Sequence, residues 1–191
     1  NTATATLGRQ LGRWGEVTLG LSRQHFRGSV LLPEPAEAGS RTSSQGSRFV
    51  QLALDTLEPL AFPTRGALLQ ARYERATERD ADGRVLAQSS VQAMLPFRLG
   101  PWGGHLYGEW AKGRDGFSPL PLGGFLRLSG TARNSINGST VLFGRAVLGH
   151  EVGRMPAGLG GVVRVGVSAE LGAAVEDARA VHASDLLRAG S

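Results

Sequence analysis

The sequence predicts an all-β fold, an antiparallel up-and-down arrangement of long strands that belongs to a transmembrane β-barrel. Three observations lead to this prediction. Apolar and polar residues alternate one by one in about eight separate runs, which is the period of a β-strand. Most runs reach about nine to twelve residues, as membrane-crossing strands do, whereas strands of soluble domains average about five or six. Short and long connections alternate between the runs, as in outer-membrane barrels.

The first four predicted strands lie at 2–11, 16–24, 48–55 and 67–75. In the first run, alanines and a leucine alternate with threonines. In the next three, every second residue is apolar, and Glu, Gln, Ser or Arg occupies most positions between. The apolar faces of these three runs comprise Val17, Leu19, Leu21, Val50, Leu52, Leu54, Leu69, Ala71 and Tyr73.

The last four predicted strands lie at 86–97, 105–112, 141–150 and 162–170. The last run has the clearest pattern, because its valines oppose Arg164, Ser168 and Glu170. The apolar faces of the four runs comprise Ala87, Val91, Ala93, Leu95, Phe97, Leu106, Trp110, Leu142, Ala146, Leu148, Val163, Val165, Val167 and Ala169.

The polar faces carry charges that help to decide between two architectures. A soluble sandwich would turn its apolar faces inward and its polar faces to water. A membrane barrel would turn the apolar faces to lipid and the polar faces to a wet lumen, where charges cost little and can pair across strands. We expect the second arrangement. The charged residues expected on the lumen side are Arg72, Glu74, Glu109, Arg145, Arg164 and Glu170.

The connections sort into two classes in register. Short ones occur around 12–15, 56–65, 98–104 and 151–159, and longer ones at 27–47, 76–83, 113–138 and 171–190. An up-and-down barrel places tight turns on the periplasmic side and long loops outside, whereas a Greek-key sandwich does not usually sort its loops in this way. The segment 171–190 is therefore expected to be an extracellular loop.

Composition excludes several function classes. The chain has 191 residues, a net charge of +5 and no cysteine, so it has no disulfide or thiol site. Its four histidines show no metal-ligand spacing, and its basic residues do not cluster on one predicted element. We expect no metal, no cofactor and no nucleic-acid partner. No apolar stretch approaches the roughly 18 residues of a transmembrane helix.

No motif predicts catalysis. A Gly-x-Ser-x-Gly nucleophile elbow is absent, and Pro119 after Ser118 would block the helix that must follow such a serine. The glycine-rich stretches at 123–124 and 158–161 are not followed by the Lys-Ser or Lys-Thr pair of a phosphate-binding loop. We therefore expect that this chain is not an enzyme.

One motif lies within the long connection 113–138. Its residues 121–130 read PLGGFLRLSG, with glycines at Gly123, Gly124 and Gly130 around Phe125, Arg127 and Ser129. The motif resembles the conserved loop of the Omp85 superfamily of outer-membrane barrels, and most closely that of the translocators of patatin-like autotransporters. Ser129 stands where the commonest form of that loop has Arg. The resemblance implies that the loop folds back into the barrel lumen.

A second motif lies in the short connection after 48–55. Residues 54–66 read LDTLEPLAFPTRG. This segment resembles the Asp-Thr…Phe-Pro-Thr-Arg-Gly turn of the bacterial surface antigen family, which belongs to the same superfamily. Asp55, Pro63 and Gly66 are its turn residues, and proline followed by glycine favours a tight turn.

The two resemblances together imply a function. Barrels of this superfamily have sixteen strands, with the lumen loop between the eleventh and the twelfth. The chain would then carry about the sixth to the thirteenth strand of one bacterial outer-membrane barrel, truncated at both ends. Its partners would be outer-membrane lipid and a protein passenger, a lipase in the patatin-like branch, delivered by type V secretion. Any lipase activity would reside in an upstream domain.

Three other functions remain open from the sequence. The barrel could be a protein-assembly factor of the same superfamily or a passive diffusion pore, and a soluble β-rich binding domain is the alternative outside the membrane. The apolar residues of 113–138 argue for order, because a solvated tail rarely contains so many. We expect Gly123–Gly130 to lie inside the barrel, with Arg127 contacting a wall carboxylate such as Glu109 or Glu170.

Overall fold

The computed structural model describes residues 2–29, 40–58, 62–79, 83–114, 120–155, 161–176 and 187–190. These residues form strands joined by turns and irregular segments. In chain order the strands are β1 (Thr2–Gln10), β2 (Gly15–Ser29), β3 (Ser40–Asp55), β4 (Leu68–Arg79), β5 (Val85–Leu99), β6 (Trp102–Arg114), β7 (Leu120–Leu122), β8 (Ile136–Gly138), β9 (Thr140–Arg154), β10 (Val162–Val175) and β11 (Leu187–Gly190).

Nine strands form one antiparallel sheet in the order β1-β2-β3-β4-β5-β6-β9-β10-β11. Each strand pairs with its neighbours in the chain, apart from the insertion of β7 and β8 between β6 and β9. The predicted all-β, antiparallel, up-and-down fold is thus confirmed, and each of the eight predicted runs coincides with a strand, with Leu11 and Ala67 one residue outside β1 and β4. Among the described residues β1 and β11 are the two edges, so the sheet is open.

Cross-strand register sorts the side chains onto two faces. Leu52, Ala71, Val91, Trp110 and Leu142 stand opposite one another in a row across five strands. This side, which we call the apolar face, is largely exposed in the isolated chain: Leu19 is 55%, Leu106 53%, Val165 64% and Val167 65% exposed. The opposite side, the polar face, carries the residues between them, including all six charged residues expected there.

The turns at one end of the sheet are tight. Gly100 and Pro101 join β5 to β6, and the positive φ of 62° at Gly100 suits a turn that glycine adopts without strain. Trp14 in the β1–β2 turn and Trp102 beside the β5–β6 turn are 62% and 44% exposed. Exposed aromatic residues at the ends of an apolar band are typical of barrel strands at the membrane interface.

Two connections are shorter than the alternation pattern suggested. Strands β2 and β3 extend to Ser29 and from Ser40, into the segment interpreted as the connection 27–47. Strand β10 continues to Val175, and Leu187–Gly190 pairs with β10 as β11, so strands occupy both ends of the segment 171–190. The residues there are mostly glycine and alanine, which carry little alternation signal. Residues 177–186, the middle of that predicted loop, lie outside the described residues.

Within the described ranges, the chain contains no helix long and apolar enough to cross a membrane.

Candidate functional site

The candidate site is the contact between the segment 120–138 and the polar face of β6, β9 and β10. We call this segment the inner loop; it is the described part of the predicted loop 113–138, since 115–119 lie outside the described residues. Its ends pair as the short hairpin β7–β8, with Leu120 opposite Gly138 and Leu122 opposite Ile136. The Gly113 amide donates to the Ser139 carbonyl at 2.7 Å, which fixes the base of the loop to β6.

The tip of the inner loop is held by its own hydrogen bonds. The Arg127 amide donates to the Gly124 carbonyl at 3.0 Å, and the Thr131 hydroxyl donates to the Leu128 carbonyl at 2.7 Å. Leu126 and Leu128 have positive φ values of 57° and 71°, which are rare for branched side chains. Such strain persists only where the surroundings over-determine the conformation, so the tip is expected to be firmly anchored.

Leucines of the inner loop form the main apolar contact with the sheet. Leu122 and Leu128 are fully buried, and Leu120 is nearly so. They cluster with Ala111 of β6 and with Val141 and Phe143 of β9. A Cβ atom on Gly172 of β10 would lie 3.1 Å from Leu122 Cδ2 and 3.2 Å from Leu128 Cδ1. The loop therefore fits closely against β10 because that strand has a glycine there.

Glu170 of β10 is the most deeply buried acidic group of the site, only 1% exposed. Its Oε2 accepts the Ser129 amide at 2.7 Å, and its Oε1 accepts the Ser129 hydroxyl at 3.1 Å and the Ser168 hydroxyl at 3.2 Å. The Ser129 hydroxyl also accepts the Leu126 amide at 3.0 Å. Ser129 therefore docks the loop onto the sheet.

Arg127 forms the second polar anchor. Its Nη2 atom donates to Glu109 Oε1 on β6 at 2.5 Å, and the two side chains are 36% and 18% exposed. The Tyr107 hydroxyl lies 3.4 Å from Glu109 Oε2 and donates to Gln92 Oε1 at 2.9 Å. The ion pair is thus continuous with polar side chains of β5.

Arg145 of β9 forms the third anchor. Its Nη1 atom donates to the Leu126 carbonyl of the loop at 2.8 Å, and its Nη2 atom lies 3.2 Å from His105 Nε2. Three successive strands of the sheet, β6, β9 and β10, therefore each bind the tip of the inner loop through one side chain. The structure brings Glu109, Arg145 and Glu170 together with Arg127 and Ser129.

Other predicted site residues have different surroundings. Gly123 has a φ of 119°, and a Cβ there would lie 2.5 Å from the Ala132 carbonyl oxygen, so this position requires glycine. Gly124 and Gly130 also have positive φ, 116° and 92°. Phe125 of the motif is 82% exposed and is not part of the buried cluster.

Arg164 does not reach the inner loop. It lies 3.8 Å from Glu151 Oε2, and its guanidinium stacks 4.3 Å from the centre of the Phe62 ring. Phe62 belongs to the β3–β4 connection, and a Cβ on Gly103 of β6 would lie 3.3 Å from it. The connection that contains the second motif thus folds over the polar face at the end of the sheet opposite the inner loop.

The second motif itself forms a closed turn. Asp55 accepts the Leu57 amide at 3.0 Å, and Glu58 and Arg65 pair through two backbone hydrogen bonds. Gly66 has a φ of 87°, and a Cβ there would lie 1.9 Å from the Thr56 carbonyl oxygen. Pro63 is described and half-buried, but 59–61 lie outside the described residues.

The sequence places Arg72 and Glu74 on the polar face but does not predict the network that they form on β3–β5. Arg72 donates to Glu74 Oε2 at 2.8 Å and to Gln51 Oε1 at 3.2 Å, and Ser47 donates to Glu74 at 2.5 Å. Gln92 and Gln70 are bonded one strand further on. A cavity of about 270 Å³ separates this network from Pro121 and Arg127 of the loop. Recurrent glutamines on consecutive polar faces were the available sequence signal.

The polar contacts of the site attach the inner loop to the sheet. Each anchor is a hydrogen bond or ion pair that a conformational change can break and reform. The described residues contain no cluster of His, Cys, Asp and Glu suited to a metal ion. A scan against protein-family models finds none that matches the chain, and a search of curated proteins returns no matching protein. The relationship to the Omp85 superfamily stays a prediction from the two motifs.

Proposed function

We propose that this chain is part of an Omp85-type outer-membrane barrel that delivers or anchors a passenger protein at the cell surface. In this proposal the apolar face contacts lipid, the polar face lines the lumen, and the inner loop occupies the lumen. The observation that carries the proposal is the docking of the 121–130 motif onto the polar face. Three side chains of the sheet bind the loop tip. They lie on the polar face, which lines the lumen in the proposed barrel.

The geometry suggests how such a loop contributes to translocation. The loop covers the polar face at β6, β9 and β10 and leaves the glutamine-rich face of β2–β5 uncovered. Each of its three polar anchors contributes no more than about 3 kcal/mol, so a passenger segment can compete for them. The loop would thereby act as a movable plug that also stabilises the wall beneath it.

The test uses the full-length protein in a Gram-negative host. We expect it in the outer-membrane fraction, with a heat-modifiable band on gels, and with the passenger accessible to external protease. Deleting 121–136 should lower surface exposure of the passenger while leaving membrane insertion intact. Recovery of the protein from the soluble or inner-membrane fraction would contradict the proposal.

A passive diffusion pore is the second candidate, supported by the uncovered polar network of β3–β5 and the cavity of about 270 Å³ beside it. Planar-bilayer conductance separates the two functions. A plugged translocator should conduct little until the inner loop is deleted, whereas a diffusion pore should conduct steadily with the loop in place.

A further inference from the structure

The apolar face has a feature that the proposed translocator does not use. On β1–β4 a cavity of about 640 Å³ opens between the side chains of Leu7, Leu19, Leu21, Val50 and Tyr73, and it is bordered by Arg48 and Arg75. We call it the lateral groove. Its apolar residues are exposed: Leu7 is 77%, Leu21 65% and Tyr73 46% exposed.

The groove consists of two neighbouring cross-strand rows. In one row Leu7, Leu19, Val50 and Tyr73 stand opposite one another across four strands. The next row consists of Ala5, Leu21, Arg48 and Arg75 on the same four strands, so Arg48 and Arg75 are directly opposite each other. The groove is therefore apolar along its length and cationic at one corner.

The two arginines form an unfavourable pair without an anion between them. Like charges directly opposite on adjacent strands repel, with Cβ atoms about 5 Å apart. Both side chains are exposed, and no described carboxylate lies within ion-pair distance of either. A single phosphate group is the right size to accept hydrogen bonds from both guanidinium groups, and Arg presents its donors in the geometry that phosphate requires.

The arginines also mark the end of the apolar band on these strands. Beyond them the same face carries Arg23 and Gly46, and Gly46 lies against Thr77. Arg48 and Arg75 lie far from the β1–β2 and β3–β4 turns. In the proposed barrel these turns are on the periplasmic side. The guanidinium groups would therefore extend to the head-group level of the outer leaflet, with their stems along apolar surface.

We infer that the lateral groove binds one phosphate-bearing acylated lipid of the outer leaflet, with its phosphate between Arg48 and Arg75 and an acyl chain along Leu7, Leu19 and Val50. This inference rests on the proposed membrane location. An amphiphile fits better than free phosphate, because the groove offers apolar area along most of its length and charge only at one corner. Repulsion between the paired arginines supplies the preference for an anionic head group.

The experiment uses the full-length protein folded in detergent micelles, with lipid A as the probe and native mass spectrometry as the readout. We expect wild-type protein to retain one lipid A, and dephosphorylated lipid A to bind at least about tenfold more weakly. The double variant Arg48→Gln, Arg75→Gln should lose the same factor. Arg9→Gln is the matched control, because Arg9 lies on the same face of β1 at the opposite end of the β1–β2 hairpin.

Each outcome decides the matter. Equal binding of both lipids, or equal binding by the double variant and Arg9→Gln, would overturn the inference. Competition by inorganic phosphate at the concentration of lipid A would assign the arginines to free phosphate. A lipid-free dimer lost in the double variant would assign the groove to a second copy.

If the double variant does not fold, the phosphate dependence of lipid binding by the wild-type protein decides alone. Failure of wild type to insert into bilayers would defeat the proposed function, whereas insertion without phosphate-dependent binding defeats only this inference.

Discussion

The polar face has two halves that look alike in the alternation pattern and differ in what covers them. On β6, β9 and β10 the inner loop buries Leu122, Leu128 and Glu170. On β3–β5 the face carries Gln51 and Arg72, which are partly buried and hydrogen-bonded to each other. We call these the covered half and the open half.

The difference shows how a strand face specifies its contact. The covered half has small or apolar residues at positions that alternation would make polar, namely Ala111, Val141, Phe143 and Gly172. In the open half the same two cross-strand rows carry Gln51, Gln70, Arg72 and Gln92, and these side chains bond one another across strands. The inner loop packs where small and apolar residues of the face leave room for its leucines.

The largest effect is expected in the covered half. Leu128→Ala should destabilise the docked loop by about 2–5 kcal/mol, because it leaves a cavity beneath a fully buried side chain. Trypsin cleavage after the exposed Arg133 should then accelerate about thirtyfold or more. Phe125→Ala is the matched control, since Phe125 is 82% exposed and should change cleavage little. Equal acceleration by both variants would contradict the docking.

The second prediction compares the two faces. Val167→Arg should cost about 2–4 kcal/mol in a bilayer, because Val167 lies near the middle of β10 on the apolar face. Gln92→Arg should cost far less, since its side chain lies on the polar face opposite Glu109. Urea unfolding in lipid vesicles, followed by tryptophan fluorescence, measures both. Similar costs for the two variants would mean that the apolar face does not contact lipid.

The third prediction makes the same change in both halves. Glu170→Gln should weaken loop docking by about 1–3 kcal/mol. Both carboxylate oxygens of Glu170 accept hydrogen bonds, and the amide nitrogen of Gln would place a donor opposite another donor. Glu74→Gln should cost at most about 1 kcal/mol, since the Glu74 side chain is 18% exposed and water can replace part of its network. Trypsin sensitivity of the loop should rise in the first variant alone. A larger cost for Glu74→Gln than for Glu170→Gln would contradict this prediction.

The smallest effect is expected for the ion pair at the border of the two halves. A double-mutant cycle with Arg127→Gln and Glu109→Gln should give a coupling energy below about 1 kcal/mol, because Arg127 is 36% exposed and solvent screens the pair. Both variants should still insert into membranes. A coupling of several kcal/mol would show instead that the pair is dry and that Arg127 is the main anchor.

The fold could be predicted from the sequence because a strand with two unlike faces needs only local information. Alternation predicted the eight long strands and placed six charged residues on the polar face, and β10 is the clearest example. Alternation failed where glycine and alanine made both faces alike, as at Gly172–Ala174 at the end of β10. The short β11 has no alternation of apolar and polar residues of its own. It is recognised as a strand only by its pairing with Ala169–Gly172.

The site was predictable only in part. Its residue types pointed to a docked loop with Arg127 against a carboxylate, and two carboxylates fitted that role equally well from the sequence. Only the tertiary structure decided that Arg127 contacts Glu109 while Glu170 receives Ser129, because the choice depends on where strands β6 and β10 meet the loop tip. It likewise decided that Phe125 is exposed and that Arg164 lies with Phe62. Alternation assigns a side chain to a face, but distances along and across that face arise from register, and register is set by pairing between strands far apart in the chain.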